Sequence, residues 1–445
     1  MSETQKKTDR RSFLKRGATA AAGAALAGNL NLARTAHAQG SDQIKAVLVG
    51  CGGRGNGAMR DSFNADPGVR CVAVADAFEG RARSTADRLR RDHKDRVDLP
   101  DERVFTGLDA SKRALEVDAD LMINATPPGF RPYDYARAIQ AGMHVFMEKP
   151  CCVDAPGFNI LQEANKMADE KGLKVGVGFQ RRHSPNYIET IERIHDGAIG
   201  DLTLLRAYWN GGGIWNRGRA DDMTEMQYQV HNWYHFCWLS GDNICEQHVH
   251  NLDICNWVML AECGGDPQAA RPVEANGMGA CVRRYTGGAR GTGQIFDSHF
   301  VEFTYANGAK MYSQCRHMPG TWTSVGEGVH GTIGTSNPSG SISGENEWRF
   351  RGDRVNAMVE EHRALMAAVR DGTEFNEGWH GAAASMTAVL GRMATYSGNI
   401  VKWDDAVAKG KTEFPDSLDW DAPAPVEPDE HGDYPIPVPG VYRAY

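Results

Sequence analysis

Gly50-Cys51-Gly52-Gly53-Arg54-Gly55 constrains this chain more than any other stretch. It follows a β-branched run at residues 45–49 and opens a helical pattern through Ala65, which makes it a strand-turn-helix junction with glycine at its first, third and sixth positions. Glycine lets the backbone of such a turn come close to a ligand, and the helix that follows aims its unpaired N–H groups and positive end at it. The same rhythm repeats downstream. Apolar runs at 69–75, 121–125, 144–147 and 174–179 alternate with helical stretches through Arg91, near 132–141 and near 154–172. Short buried runs separated by helices predict a doubly wound parallel sheet, the α/β Rossmann arrangement, over residues 39–180. A linker or domain change is expected near Glu148-Lys149-Pro150.

Beyond Gly200 the pattern changes. Residues 202–208, 275–285, Ser298–Tyr305 and 310–314 alternate apolar and polar positions, which predicts a C-terminal α+β domain (181–412) on a largely antiparallel open sheet. A helix is expected over 244–259, and two more near 357–370 and 381–397. The segment 413–445, rich in Pro, Asp and Tyr, reads as a tail wrapping a surface or a neighbouring subunit.

The first 38 residues read as an address. Arg10-Arg11-Ser12-Phe13-Leu14-Lys15, a weakly apolar Ala/Gly segment and Ala36-His37-Ala38 follow the order of a twin-arginine signal peptide with its cleavage site. The expectation is passage through the twin-arginine translocase to a periplasmic or extracellular location, a route for proteins that fold and load a cofactor first. Without residues 1–38, 42 Lys and Arg stand against 55 Asp and Glu, a net charge of −13. That balance argues against nucleic acid as a partner, and no apolar run reaches the about 18 residues of a membrane span. The ten cysteines lack the spacing of a small disulfide scaffold and read as buried apolar thiols.

Asp76 closes the strand after the glycine turn, 21 residues beyond Gly55. A carboxylate there can accept from a ribose 2′-hydroxyl and repel a 2′-phosphate, favouring NAD over NADP, although Arg81 and Arg83 pull the other way. Asn124-Ala125-Thr126-Pro127-Pro128 and Met147-Glu148-Lys149-Pro150 each follow an apolar run, at strand ends where open α/β sheets bind ligands. The Lys149 ammonium can hydrogen-bond a substrate oxygen as it gains negative charge, although a lone lysine before proline is as often a surface charge. Within the expected helix over 244–259, Glu246 and His250 are four apart and share a face, so the carboxylate can orient the imidazole as a general base. Further candidates for substrate binding are Arg181, Trp215 and His248, the tryptophan by stacking on a sugar face. His231, His235, His248 and His250 could compose a metal site, but no Cys or Asp completes a convincing ligand set, and no metal is expected.

The glycine turn, the Thr-Pro-Pro loop, Glu-Lys-Pro and the acid-x-x-x-His stretch, in this order, resemble the Gfo/Idh/MocA oxidoreductases over roughly residues 44–403. The resemblance implies that Lys149 is the catalytic lysine, His250 the catalytic histidine, and Glu246 the acid that is usually Asp. Cofactor contacts are then expected from Gly50, Gly52, Gly53, Arg54, Gly55, Asp76, Asn124, Thr126, Pro127, Glu148 and Lys149. It implies a homo-oligomer and an NAD-dependent oxidoreductase acting on a hydroxyl of a sugar, sugar derivative or cyclitol, and the twin-arginine route adds the expectation of a tightly bound cofactor. A hydrolytic branch implies an alternative, redox-neutral cleavage of a glycoside through transient oxidation. A cofactor-retaining binding protein is disfavoured, because Lys149, Glu246 and His250 would have no joint purpose.

Overall fold

A computed structural model describes residues 42–281 and 292–445, and Gln43–Tyr445 pack as one compact unit. The twin-arginine segment lies outside the described residues. Six parallel strands form the first sheet: β1 (Ile44–Val49), β2 (Val69–Asp76), β3 (Val104–Thr106), β4 (Leu121–Asn124), β5 (His144–Met147) and β6 (Val175–Val177). Their spatial order is β3-β2-β1-β4-β5-β6, the doubly wound arrangement expected from the sequence. The strands are apolar at successive positions because both faces are covered. Val47, Val49, Met122 and Val145 pack with Tyr135, Ala138 and Ile139 in one cluster, while Ala46, Leu48, Ile123 and Phe146 pack with Met59 and Phe63 in another. Leu365 and Met366 of the helix Ala357–Asp371 join the second cluster, so a late helix returns to cover the first sheet. Val49 pairs with Ala75 and Asn124, and Asn124 with Met147, so the strands end at one level. The order reverses between β1 and β4, which opens a crevice at those carboxyl ends.

The second sheet has nine strands among the described residues: β7 (Leu202–Gly211), β8 (Pro272–Ala280), β9 (Ser298–Tyr305), β10 (Lys310–His317), β11 (Ser324–Gly331), β12 (Gly334–Asn337), β13 (Ser341–Gly344), β14 (Trp348–Arg349) and β15 (Val401–Lys402). Their order is β14-β13-β12-β11-β7-β10-β9-β8-β15, with every pairing antiparallel except β7 with β10. His299, Val301, Phe303 and Tyr305 alternate inward along β9, toward the buried helix Gly378–Ser397. An added Cβ at Gly391 of that helix would stand 2.7 Å from the Phe303 ring, which sets how closely helix and sheet approach. No helix among the described residues is long and apolar enough to cross a membrane.

The expected helix over 244–259 is two pieces, Asn243–Glu246 and Val249–Met259, separated at Gln247 and His248. The first piece starts from Asp242, whose φ of 72° lies in the left-handed region. Asp242 is held there by buried tertiary partners, accepting from the Tyr396 hydroxyl at 2.7 Å and from Phe296 N at 2.9 Å.

Burial holds four histidines neutral. His144 and His317 are pushed down to about 4, and His248 and His362 to about 3, each chiefly by desolvation. Since unfolded histidine binds its proton near pH 6.5, their contribution to stability is complete above that pH and is lost as pH falls toward the folded values. Asp134, raised to about 6 by burial, acts in the opposite sense, as do the raised Asp76, Asp253, Glu327 and Glu361, while His250 and His380, also lowered by burial, add to the histidine side. Equilibrium urea unfolding is therefore expected to show a midpoint that is steady from about pH 8 to 7 and falls continuously from about 6.5 to 4. A midpoint flat to pH 4 would contradict the neutral assignment.

Candidate active site

The crevice is a cleft of about 770 Å³ that runs from the glycine turn to His250. Gly50 leaves β1 with φ of 91°, and a Cβ on it would stand 2.6 Å from the Ala125 carbonyl carbon. A Cβ on Gly55 would stand 1.8 Å from the Gly50 carbonyl oxygen. These two glycines are required by the turn itself. Gly52 and Gly53 differ, since an added Cβ there would meet nothing within 4 Å. Gly52 is the N-cap of the helix Gly53–Ala65 and makes no side-chain cap, so the first-turn N–H groups open onto the cleft. Such a terminus favours an anion, and a dinucleotide diphosphate fits it.

Asp76 stands beside the turn. Its Oδ2 accepts from Cys51 N at 2.8 Å and its Oδ1 from Phe78 N at 2.9 Å, so the carboxylate is fixed while lone pairs stay available toward the cleft. Burial is the largest influence on it and raises its pKa despite those bonds. Across the cleft, Asn124 Oδ1 accepts from Thr126 N at 3.0 Å and Thr126 Oγ1 at 2.7 Å, which shapes the loop whose Thr126 and Pro127 form the wall. Asn124 itself is buried behind that wall.

Arg54 and Glu148 lie on the wall, yet their charges meet each other. The guanidinium pairs with Glu148 and reaches Asp61 at 3.2 Å and Glu361 at 3.6 Å. The Glu148 carboxylate also explains Gly178, where a Cβ would come within 2.6 Å of it. These two expected cofactor contacts are thus a half-buried ion pair between the glycine turn and the backbone that carries Lys149. Arg131 fixes that backbone from the other side, donating to Pro150 O at 2.7 Å.

Lys149 Nζ donates to the Glu246 carbonyl and lies 3.2 Å from Glu246 Oε1. Glu246 therefore partners Lys149, and the expected hydrogen bond from the His250 imidazole to Glu246 is not formed. The break at Gln247 and His248 is the reason, because the two residues do not share one helix. His250 instead packs between rings, stacked on Trp209 with centroids 5.9 Å apart and edge-on to Phe179 at 5.9 Å. Its imidazole is held well below the ordinary value by burial and then by the Lys149 and Arg181 cations, so it is neutral and can accept a proton. Lys149, Glu246 and His250 all line the same end of the cleft.

Two expected substrate contacts lie elsewhere. His248 is fully buried, with Nε2 2.7 Å from Ser313 Oγ, because the helix break turns it toward β10. Arg181 pairs with Glu327 and stands 6.0 Å from the Trp209 ring, behind the aromatic wall, while its neighbour Gln180 lines the cleft. Trp215 does line it, with Arg217 stacked 3.8 Å over the indole. His231 Nδ1 lies 3.4 Å from Arg81 and His235 Nε2 lies 2.9 Å from Trp215 O. Among the described residues no three His, Cys, Asp or Glu side chains converge on a point that could hold a metal. Sequence reasoning missed Arg217, Trp233, Met358 and Glu361 as wall residues. They stand on segments whose place over the first sheet depends on contacts far apart in the chain.

Residues 44–179 match the family described as the oxidoreductase family with NAD-binding Rossmann fold, Gfo/Idh/MocA. That match spans the six-stranded parallel sheet. The chain is 24% identical over 209 residues to inositol 2-dehydrogenase of Corynebacterium glutamicum, covering 47% of this chain and 58% of that one. It thus spans little more than half the length of that relative. A solved structure of a putative myo-inositol dehydrogenase from Sinorhizobium meliloti shares the fold at TM-score 0.56 and 19% identity, covering 81% of this chain and 99% of that one. An aldose-aldose oxidoreductase from Caulobacter crescentus does so at TM-score 0.60 and 16% identity, with 81% and 99% covered. The matched residues include the glycine turn, Asp76, Thr126 and Lys149, whereas Trp215, Glu246 and His250 reach the cleft from beyond them.

Proposed function

We propose that the protein is an NAD-dependent oxidoreductase acting on a hydroxyl-bearing carbon of a sugar, sugar derivative or cyclitol. The observation that carries this reading is the meeting of the Lys149 ammonium and the neutral His250 imidazole in the cleft that the uncapped glycine-turn helix opens onto. The backbone N–H groups at Gly52 and Gly53 would hold the diphosphate of the dinucleotide, and the Asp76 carboxylate a ribose hydroxyl. When bound, the nicotinamide supplies hydride-accepting chemistry. His250 takes the hydroxyl proton, for which a neutral, desolvated imidazole is suited. Lys149 donates to the same oxygen and stabilises the charge that develops there, while Glu246 holds the ammonium in place from the opposite side. Trp215, 38% exposed, offers a flat apolar face for the C–H side of a sugar ring.

Export by the twin-arginine route, a location outside the cytoplasm, homo-oligomeric assembly and a tightly held cofactor belong to the same proposal. The first and second rest on the Arg10-Arg11 segment and Ala36-His37-Ala38. The test is to incubate the purified protein with NAD and a panel of cyclitols and aldoses while following absorbance at 340 nm. Reduction by at least one polyol supports the reading. Cleavage of a nitrophenyl glycoside with no polyol-dependent change would replace it with hydrolysis.

Asp76→Ala is expected to weaken NAD binding about tenfold and to narrow the preference over NADP, since one or two hydrogen bonds to a charged acceptor are worth about 1.5–3 kcal/mol. Titration with both nucleotides measures this. An unchanged ratio would remove Asp76 from the ribose site.

A further inference from the structure

The Rossmann domain supplies one wall of the cleft, and residues 215–233 supply another through Trp215, Arg217, Val230 and Trp233. The C-terminal segment clasps that second wall. Thr224 Oγ1 donates to Trp420 O at 2.6 Å, Gln229 Nε2 donates to Val426 O at 2.5 Å, and the Tyr434 hydroxyl donates to Glu225. The same segment also grips the first wall. The Trp420 ring lies 5.5 Å from that of Phe78, two residues after Asp76, and the Phe414 ring lies 5.7 Å from that of Phe130 beside the Thr-Pro-Pro loop. Residues 414–434 therefore fasten the two walls to each other across the rim.

Arg217 is the charge this fastening brings over the cleft. Its Nη1 donates to the His231 carbonyl at 2.6 Å and its guanidinium stacks on Trp215, and no carboxylate acts on it among the described residues. Burial and the neighbouring Arg81 both push its pKa down, the mark of a cation held without a counter-ion. Arg81 lines the cleft beside Asp76, and its guanidinium approaches His231 at 3.4 Å. Two guanidinium groups, one from each wall, thus face the end of the cleft that Asp76 marks. The chemistry that answers them is a phosphate.

We propose that Arg217, together with Arg81, binds a phosphate of the dinucleotide's adenosine half from outside the Rossmann domain, and that the clasp of residues 414–434 makes the dinucleotide a resident group. This rests on the cofactor reading above. The phosphate is either part of the diphosphate common to NAD and NADP or the 2′-phosphate of NADP alone.

The experiment loads the full-length protein separately with NAD and with NADP, removes free nucleotide by gel filtration, and measures the release rate. It compares the wild type with Arg217→Met, which keeps an apolar stem on Trp215, and with Trp420→Ala, which loosens the clasp without touching the ligand site; circular dichroism and urea unfolding check the fold of each. Arg217→Met is expected to speed release about 10- to 100-fold, as the loss of charge-assisted hydrogen bonds implies. Faster release of both nucleotides identifies the diphosphate, and faster release of NADP alone identifies the 2′-phosphate. Trp420→Ala is expected to speed release in the same direction with Arg217 still present. Release of both nucleotides from Arg217→Met at the wild-type rate overturns the phosphate contact, and an unchanged rate for folded Trp420→Ala overturns the clasp. A wild type that retains neither nucleotide while polyols still reduce added NAD overturns residency alone, and one that binds neither at any concentration overturns the cofactor reading as well.

Discussion

Lys149→Ala is expected to lower kcat about a thousandfold while leaving dinucleotide affinity within a few-fold of wild type. The ammonium is nearly buried at the floor of the cleft, with side-chain exposure of 11%, and its hydrogen bonds go to Glu246 alone among the described residues. A preorganised donor aimed at an oxygen that gains charge is worth about 10²–10³ in rate, and general acid-base assistance adds to this. The dinucleotide is held by the glycine turn and Asp76 on another part of the wall, so its affinity has no reason to follow. Removing the lysine leaves the Glu246 carboxylate buried without its cation, which lowers stability, so urea unfolding accompanies the kinetics. Glu246→Gln keeps the shape and the carbonyl contact but loses the charge, and an intermediate fall in kcat is expected. Wild-type turnover in folded Lys149→Ala would remove the lysine from the chemistry.

Gly55→Ala is expected to abolish dinucleotide binding. The new Cβ would stand 1.8 Å from the Gly50 carbonyl oxygen, and that atom is backbone of a turn already pressed against Ala125. No side chain can yield there, so the helix Gly53–Ala65 must move away from β1 and carry its open N–H groups out of position. Overpacking of this kind costs about 1–3 kcal/mol or more in stability. A fall of at least about a hundredfold in affinity, read by isothermal titration with NAD, should accompany a lower urea midpoint. Affinity within a few-fold of wild type would contradict the geometry of the turn.

The parts of the fold carried by local pattern were legible in the sequence. Apolar runs ending at Val49, Asp76, Asn124 and Met147 have both faces covered, and the alternation along Ser298–Tyr305 returned that strand at its exact bounds because one face meets the helix Gly378–Ser397. The glycine turn was legible for the same reason, since Gly50 and Gly55 answer a steric demand within six residues. The Glu246 and His250 relation was not. Helical spacing placed them on one face, but the helix breaks between them at Gln247 and His248, where the His248 side chain is taken up by Ser313 of a distant strand. Arg181 and His248 were misplaced because position after a strand or near a helix end says nothing of Glu327 or Ser313, which lie far along the chain. Arg217 and residues 414–434 show no periodicity at all, and only their contacts with Trp215 and with residues 224–229 reveal what they cover.

The most direct test of the central claim follows the atom that must move. The protein is incubated with NAD and a cyclitol or aldose deuterated at its hydroxyl-bearing carbons, and the recovered nucleotide is weighed by mass spectrometry. Deuterium in the reduced dinucleotide, present with wild type and lost with Lys149→Ala, is the predicted result. Nucleotide recovered without deuterium across the panel, from protein that binds NAD, would contradict the account.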